Sequence, residues 1–208
     1  MNHYFEYNPE LELKYHTINV DLNDVKFDLS TTNNVFSFRK IDTGTKILLE
    51  TLSNLKLNNK VLDLGCGYGV VSVYLKLKFP NLNLYASDVN EWCVTLTKNN
   101  AKKLNLDINV IHSDSFTNIN EIFDFIVFNP PISVGKDKIY SMYQEAYEHL
   151  NSHGHFYIVI RKDKGALSHM KYLSSLYQKV EIINKEKGYF VILAIKEWNN
   201  KGVIDGNI

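Results

Sequence analysis

The sequence predicts an α/β protein built on a doubly wound, mostly parallel sheet. Three observations predict it. An apolar run, Val61-Leu62-Asp63-Leu64, leads into three alternate glycines, Gly65, Gly67 and Gly69. From Lys60 onward, short apolar runs alternate with segments of helical spacing, the pattern of parallel strands joined by right-handed crossovers. The last two apolar runs flank Lys185-Glu186-Lys187-Gly188, a turn that adds an antiparallel hairpin to the sheet.

The elements follow in order. Tyr15 to Leu22 and Val25 to Leu29 read as two strands around an Asn23-Asp24 turn. Asp42 or Thr43 is placed to cap a helix running to about Leu55, with Ile47, Leu48, Leu52 and Leu55 on one face. The core then alternates: strand 61–64, helix 69–79, strand 82–87, helix 90–104, strands 108–112 and 123–128, helix 138–150, strand 155–160 and helix 165–177. Strands 179–183 and 189–195 form the hairpin, which brings the sheet to seven strands. Residues 1–55 are expected to be a small β-containing extension of the same domain, 56–198 the core and 199–208 a frayed tail.

Composition sets bounds. The chain has 208 residues, 45% hydrophobic and 22% charged, with a formal net charge of zero. No global field draws it onto nucleic acid or membrane. The charge is uneven, however: residues 1–34 carry a net −4 and residues 136–187 a net +3. A polyanion would have to dock locally. The two cysteines, Cys66 and Cys93, have no metal-ligand spacing, and no metal is assigned. The first ten residues lack the apolar core of a signal peptide and no run approaches spanning length, so a cytoplasmic protein with no membrane partner is expected.

The strand, glycine turn and helix at 61–79 make a nucleotide-binding unit, because positive-φ glycines let a ligand approach the free amides of a helix N-terminus. The dinucleotide fingerprint needs a small third residue where this chain has Val70; the pattern is instead Asp63-x-Gly65-x-Gly67-x-Gly69. Asp88 ends the second core strand, 19 residues after Gly69, and suits a pair of ribose hydroxyls. The same carboxylate could cap the helix that follows, and Val89 could pack on an adenine face. Asp114 and Ser115 follow the third strand, where capping is the competing role.

Asn129-Pro130-Pro131-Ile132 ends the buried strand 123–128. Proline has no N–H, so this loop offers acceptors without competing donors. An acceptor-only pocket suits a planar amino group. The Asn129 side-chain oxygen and the Pro130 carbonyl would hold the amine and aim its lone pair at an electrophile, making catalysis a matter of positioning and electrostatics.

These residues resemble a known family. Asp63-x-Gly65-x-Gly67-x-Gly69 is similar to the first motif of class I S-adenosylmethionine (SAM) methyltransferases, and Asn129-Pro130-Pro131-Ile132 to the motif of those acting on exocyclic or amide nitrogen. The chain from about residue 3 to 196 resembles the small-subunit (16S) ribosomal RNA guanine-N2 methyltransferase family. The resemblance includes His3-Tyr4-Phe5, Asn8-Pro9-Glu10, Val35-Phe36-Ser37, Asp88-Val89-Asn90-Glu91 and Lys187-Gly188-Tyr189. It implies a Rossmann-like methyltransferase fold and SAM as cofactor. Asp63 and the Gly65, Cys66, Gly67 and Gly69 backbone would hold the methionine end, and Asp114 the adenine amino group. Ribosomal RNA or a small-subunit particle would be the partner.

Two departures stand out. Some members carry a second, degenerate methyltransferase domain for which this chain has no room. Many relatives have an aromatic where this chain has Ile132, so Phe36, Phe38 or Tyr140 would have to stack the base. For RNA phosphates the candidates are Arg39, Lys40, Lys136, Lys138, Arg161 and Lys162, although a solvated charge run explains such residues equally well. Methylation of adenine N6 or of a protein glutamine amide would use the same pocket. A non-catalytic, SAM-retaining RNA-binding assembly factor and a nicotinamide-binding protein are the remaining readings.

Overall fold

A computed structural model describes residues 14–197. Residues 3–10 of the family resemblance and the proposed tail, 199–208, lie outside the described residues.

Strands β1 (Tyr15–Leu22) and β2 (Val25–Thr32) form a two-stranded antiparallel hairpin. Its turn residues Asn23 and Asp24 both take positive φ, 46° and 65°, the primed turn whose twist matches a two-residue hairpin. β2 runs three residues past the expected Leu29, because pairing continues to Tyr15 opposite Thr32. Helix α1 (Thr43–Leu52) follows, shorter than the expected run to Leu55.

The core contains β3 (Lys60–Leu64), α2 (Val70–Lys78), β4 (Asn83–Asp88), α3 (Glu91–Lys103), β5 (Asn109–His112) and β6 (Phe123–Phe128). Then come α4 (Lys136–Glu148), β7 (Leu150–Arg161), α5 (Ala166–Leu176), β8 (Lys179–Glu186) and β9 (Tyr189–Ile195). The seven-stranded sheet has the order β5-β4-β3-β6-β7-β9-β8. Strands β3 to β7 are parallel, and β9 enters antiparallel between β7 and β8. The chain winds outward from β3 to β5, then returns to the other side of β3 as β6. That reversal places a crevice at the carboxyl ends of β3, β4 and β6.

The strand period of two divides the core into two layers. Val61, Val127, Tyr157, Val159 and Val191 point to one face, against the hairpin, α1 and α2. Leu62, Phe128, Phe156, Ile158 and Ile192 point to the other, against α4 and α5. The N-terminal hairpin is pinned by one buried side chain. Asn100 of α3 accepts from the Ser30 amide at 2.8 Å and donates to the Ser30 and Tyr68 carbonyls at 2.9 Å each. The extension and the glycine loop are therefore tied to the same amide.

Boundaries near α4 and β8 differ from expectation too. Helical spacing suggested that α4 reaches Leu150, but Leu150 opens β7 opposite Phe123, across an irregularity in the ladder. β8 likewise extends to Glu186 through a register shift between Ile182 and Asn184.

Candidate active site

A cavity of about 560 Å³ opens at the carboxyl ends of β3, β4, β6 and β7. That volume is in the range of small-molecule pockets. The segment from Phe36 to Thr45 forms its other wall.

At the end of β3, Asp63 is 3% exposed and its Oδ2 accepts from Ser72 Oγ at 2.5 Å. Burial pushes its pKa up to about 7, against the hydrogen bond from Ser72. Gly65, Gly67 and Gly69 all take positive φ. A Cβ on Gly67 would meet no atom of the described residues within 4 Å, and Gly67 lines the cavity, so the missing side chain leaves the loop backbone open to a ligand. The loop is held from outside: Cys66 N–H donates to the Ser87 carbonyl, and Thr97 Oγ1 to the Gly67 carbonyl, both at 2.9 Å. Burial pushes the Cys66 and Cys93 thiols well up, which makes them inert neighbours of the cavity.

Asp88 joins the first two strand ends. Its Oδ2 accepts from the Gly67 amide and its Oδ1 from the Asn90 amide, each at 2.9 Å. Asn90, not Asp88, caps α3, by accepting from the Trp92 amide. Val89 is half-exposed in the cavity. Asp114 lines it too, but its carboxylate is paired with Lys138 Nζ at 2.9 Å rather than capping a helix. Ser115 lies beside it with φ 52°, and the hydroxyls of Ser115 and Ser87 are buried at the cavity with no hydrogen-bond partner among the described residues. Buried polar groups without partners are rare and point to a polar ligand.

Asn129, Pro130, Pro131 and Ile132 line the cavity at the end of β6. Asn129 Nδ2 donates to Thr45 Oγ1 at 2.9 Å and to Asp42 Oδ2 at 3.2 Å, which leaves Oδ1 without a partner among the described residues. The Pro131 carbonyl is taken, accepting from the Val134 amide at 3.1 Å; the Pro130 carbonyl has no partner among the described residues.

The other sequence candidates divide. Of the three rings, only Phe36 lines the cavity, 57% exposed. Phe38 packs on His16, with the Arg39 guanidinium over its ring, and Tyr140 stacks on Tyr172 at 4.0 Å between α4 and α5. Arg39 and Lys40 do not line this cavity; with Lys46 they line a second one, of about 370 Å³, against β1. Lys136 turns away toward Gly165, and Lys162 is absent from the cavity wall. Lys138, Lys164 and Arg161 reach the wall instead, Arg161 already paired with Asp163. Sequence reasoning missed Ser87, Tyr189 and the contact of Asp42 and Thr45 with Asn129. Asp42-x-x-Thr45 carried only a helix-cap signal.

The raised acid at Asp63 has a measurable consequence. A folded-state pKa of about 7 against the ordinary 3.8 means that the folded protein holds this proton more tightly than the unfolded chain. This contribution therefore weakens stability as pH rises from about 4 to about 7, by at most a few kcal/mol. Asp63→Asn is expected to lose that decline. Urea unfolding of both proteins between pH 4.5 and 7.5 checks it, and parallel curves would count against it.

Residues 26–193 match the family model of the methyltransferase small domain, and the chain belongs to that family. The fold and the family thus define a methyltransferase. Among relatives, YbxB of Bacillus subtilis, an uncharacterized protein, is 32% identical over 197 residues, covering 93% of this chain and 98% of YbxB. Ribosomal RNA small subunit methyltransferase C of Haemophilus ducreyi is 40% identical over 129 residues, 60% of this chain and 39% of that protein. The T. thermophilus 16S rRNA N2 methyltransferase RsmC, solved with AdoMet and guanosine, superposes with a TM-score of 0.79 at 23% identity, over 91% of this chain and 52% of its own. The chain therefore spans about two-fifths to one-half of these methyltransferase C relatives. Among the described residues, no helix is long and apolar enough to cross a membrane, and no group of three or more His, Cys, Asp or Glu could hold a metal.

Proposed function

We propose that the protein transfers a methyl group from SAM to the exocyclic N2 of a guanine in small-subunit ribosomal RNA. The observation that carries this reading is the acceptor pair at the end of β6. Among the described residues, the Asn129 Oδ1 and the Pro130 carbonyl are both without partners, in the same cavity as the glycine loop. The relatives named for ribosomal RNA methylation support the choice of substrate.

The cavity fits the cofactor. Its volume, the open cradle at Gly67 and the unpartnered Ser87 and Ser115 hydroxyls all suit a polar nucleoside-sized ligand. Asp63 and the backbone of Gly65, Cys66, Gly67 and Gly69 would hold the methionine end. Each Asp88 oxygen keeps acceptor capacity for a ribose hydroxyl beside its backbone bond. Val89, Asp114 and Ser115 would surround the adenine, with Lys138 steadying Asp114. When bound, SAM supplies an electrophilic methyl group on its sulfonium. The protein's part is to hold the nucleophile. Asn129 and Pro130 accept the two amine N–H bonds, which favours a more pyramidal nitrogen and points its lone pair along the line of attack. Phe36 is the ring placed to stack the base.

The test is labelled SAM with small ribosomal subunits, free ribosomal RNA, DNA and release factor, followed by mapping of the modified base. Label at guanine N2 is expected. Label in protein or at adenine N6 would move the substrate to another amine, and absence of turnover would favour a SAM-retaining assembly factor. Equilibrium dialysis against SAM and NAD decides the cofactor. Arg39 and Lys40, placed around the second cavity with Lys46, are expected to contact phosphates. Arg39→Glu with Lys40→Glu should weaken binding to a 16S rRNA fragment and reduce the slope of log Kd against log salt by about one to two, with SAM affinity unchanged. An unaltered slope would return these residues to solvent.

A further inference from the structure

We propose that Asp42 and Thr45 are positioning residues that fix the rotation of the Asn129 carboxamide, so that its oxygen faces the substrate amine. The proposal rests on the reading of Asn129 as the amine acceptor given above.

An asparagine can present either end of its amide. At the tip of β6 the two ends have opposite consequences. With the nitrogen toward the substrate, donor would face donor, and the amine would be repelled. With the oxygen there, the pocket accepts. The choice is made 84 and 87 residues earlier in the chain, at the N-terminus of α1. Thr45 Oγ1 lies 2.9 Å and Asp42 Oδ2 3.2 Å from Nδ2, one acceptor for each N–H of the group. A hydroxyl could serve either end of the amide, but a carboxylate only accepts. Asp42 therefore removes the ambiguity and drives the nitrogen to its own side.

The arrangement is rigid because the same oxygen does two things. Asp42 Oδ2 also accepts from the Thr45 amide at 3.1 Å, as the N-cap of α1. That helix is anchored by the buried Ile47, Leu48, Leu49 and Leu52. Gly44 permits the close approach: a Cβ there would sit 2.9 Å from Tyr189 Cε1 and 3.0 Å from Asp42 Oδ2. Tyr189 of β9 can thus close over the first turn and confine the carboxylate. The N-terminal extension thereby contributes to the chemistry without touching the reacting atoms.

Three substitutions separate positioning from capping. Asp42→Ser keeps a capping oxygen but is too short to reach Asn129. Asp42→Asn keeps an oxygen able to serve both contacts, because the Thr45 amide, a donor, holds that oxygen rather than the new NH2 at the helix end. Thr45→Val removes the hydroxyl at nearly constant shape. The first readout needs no substrate: the side-chain NH2 signals of Asn129 in 15N-labelled protein, assigned by their loss in Asn129→Ala. In the Asp42→Ser, Thr45→Val double variant these protons are expected to exchange at least about tenfold faster with solvent, as two hydrogen bonds are lost. They should stay protected in Asp42→Asn. The second readout is methyl transfer from labelled SAM to small ribosomal subunits. The double variant should lose about ten- to a hundredfold in kcat with the KM for SAM within about twofold, and Asp42→Asn should restore it. If the double variant does not fold, Thr45→Val alone, which leaves the cap intact, carries the same readouts with a smaller change.

Protected amide protons in the double variant would overturn the proposal. So would kcat lost equally in Asp42→Asn. An inactive Asn129→Ala beside a fully active double variant would overturn the positioning role alone. A fully active Asn129→Ala would overturn the reading of Asn129 as well.

Discussion

Asn129→Ala is expected to lower methyl transfer by about 10²- to 10³-fold or more while leaving SAM affinity within a few fold, the scale seen when one preorganised polar group is removed from a reacting centre. The reasoning is geometric. Oδ1 is a side-chain acceptor without a partner among the described residues at the tip of β6, and its own amide nitrogen is already committed to Asp42 and Thr45. The alanine leaves the Pro130 carbonyl as a lone acceptor, which can hold one N–H of an amine but cannot set the direction of its lone pair. The proposed cofactor contacts lie elsewhere, on Asp63, Asp88 and the glycine loop. The loss should therefore fall on kcat rather than on the KM for SAM. Stability should change by only about 1 kcal/mol, because Thr45 and Asp42 face the cavity and can turn to water. Single-turnover assays with labelled SAM, together with calorimetric titration, measure both quantities. A variant with full turnover removes Asn129 from the chemistry.

What the sequence made legible was whatever local rules decide. Three alternate glycines after an apolar run announce a turn that few other residues could make, and the structure puts all three at positive φ. Alternating strands and helices, with crossovers of fixed hand, left few sheet orders to consider. Asn23-Asp24 announced its hairpin by the turn chemistry alone. Where local signals met a tertiary partner, they failed. Leu150 continues the helical spacing of α4 yet joins β7, because pairing with Phe123 is available there. Lys136 and Lys138 are equivalent neighbours of Asn129-Pro130-Pro131 in sequence. Two residues of helix turn one toward α5 and the other over Asp114. Tyr140 was a plausible base-stacking ring until α5 supplied Tyr172 as its partner. Asp42 was visible as a helix cap, but nothing local to it says which strand end the cap will face.

Asp88→Ala is expected to weaken SAM binding at least about a hundredfold and to cost about 2–4 kcal/mol of stability, from two hydrogen bonds to a charged acceptor. The stability loss comes from the two amides it serves. Gly67 and Asn90 N–H each donate to one oxygen of this carboxylate, so its removal leaves the Cys66 amide on the Ser87 carbonyl as the remaining tie of the glycine loop to the end of β4. Gly67, with no side chain to pack, then keeps only the Thr97 hydroxyl on its carbonyl to hold its φ of 57°, and the cradle spreads. Asp88→Asn should be nearly as harmful as the alanine. An amide keeps one acceptor but turns an NH2 group toward the second backbone N–H, donor against donor, where a carboxylate satisfies both. Burial raises the pKa of Asp88, so the carboxylate is held ionised only by such donors. A ribose hydroxyl pair would add two more. Affinity and stability should therefore fall together in Asp88→Ala, and bound SAM should protect the wild type against urea more than the variant. Affinity kept while stability falls would confine Asp88 to holding the loop and would remove it from the cofactor's contacts.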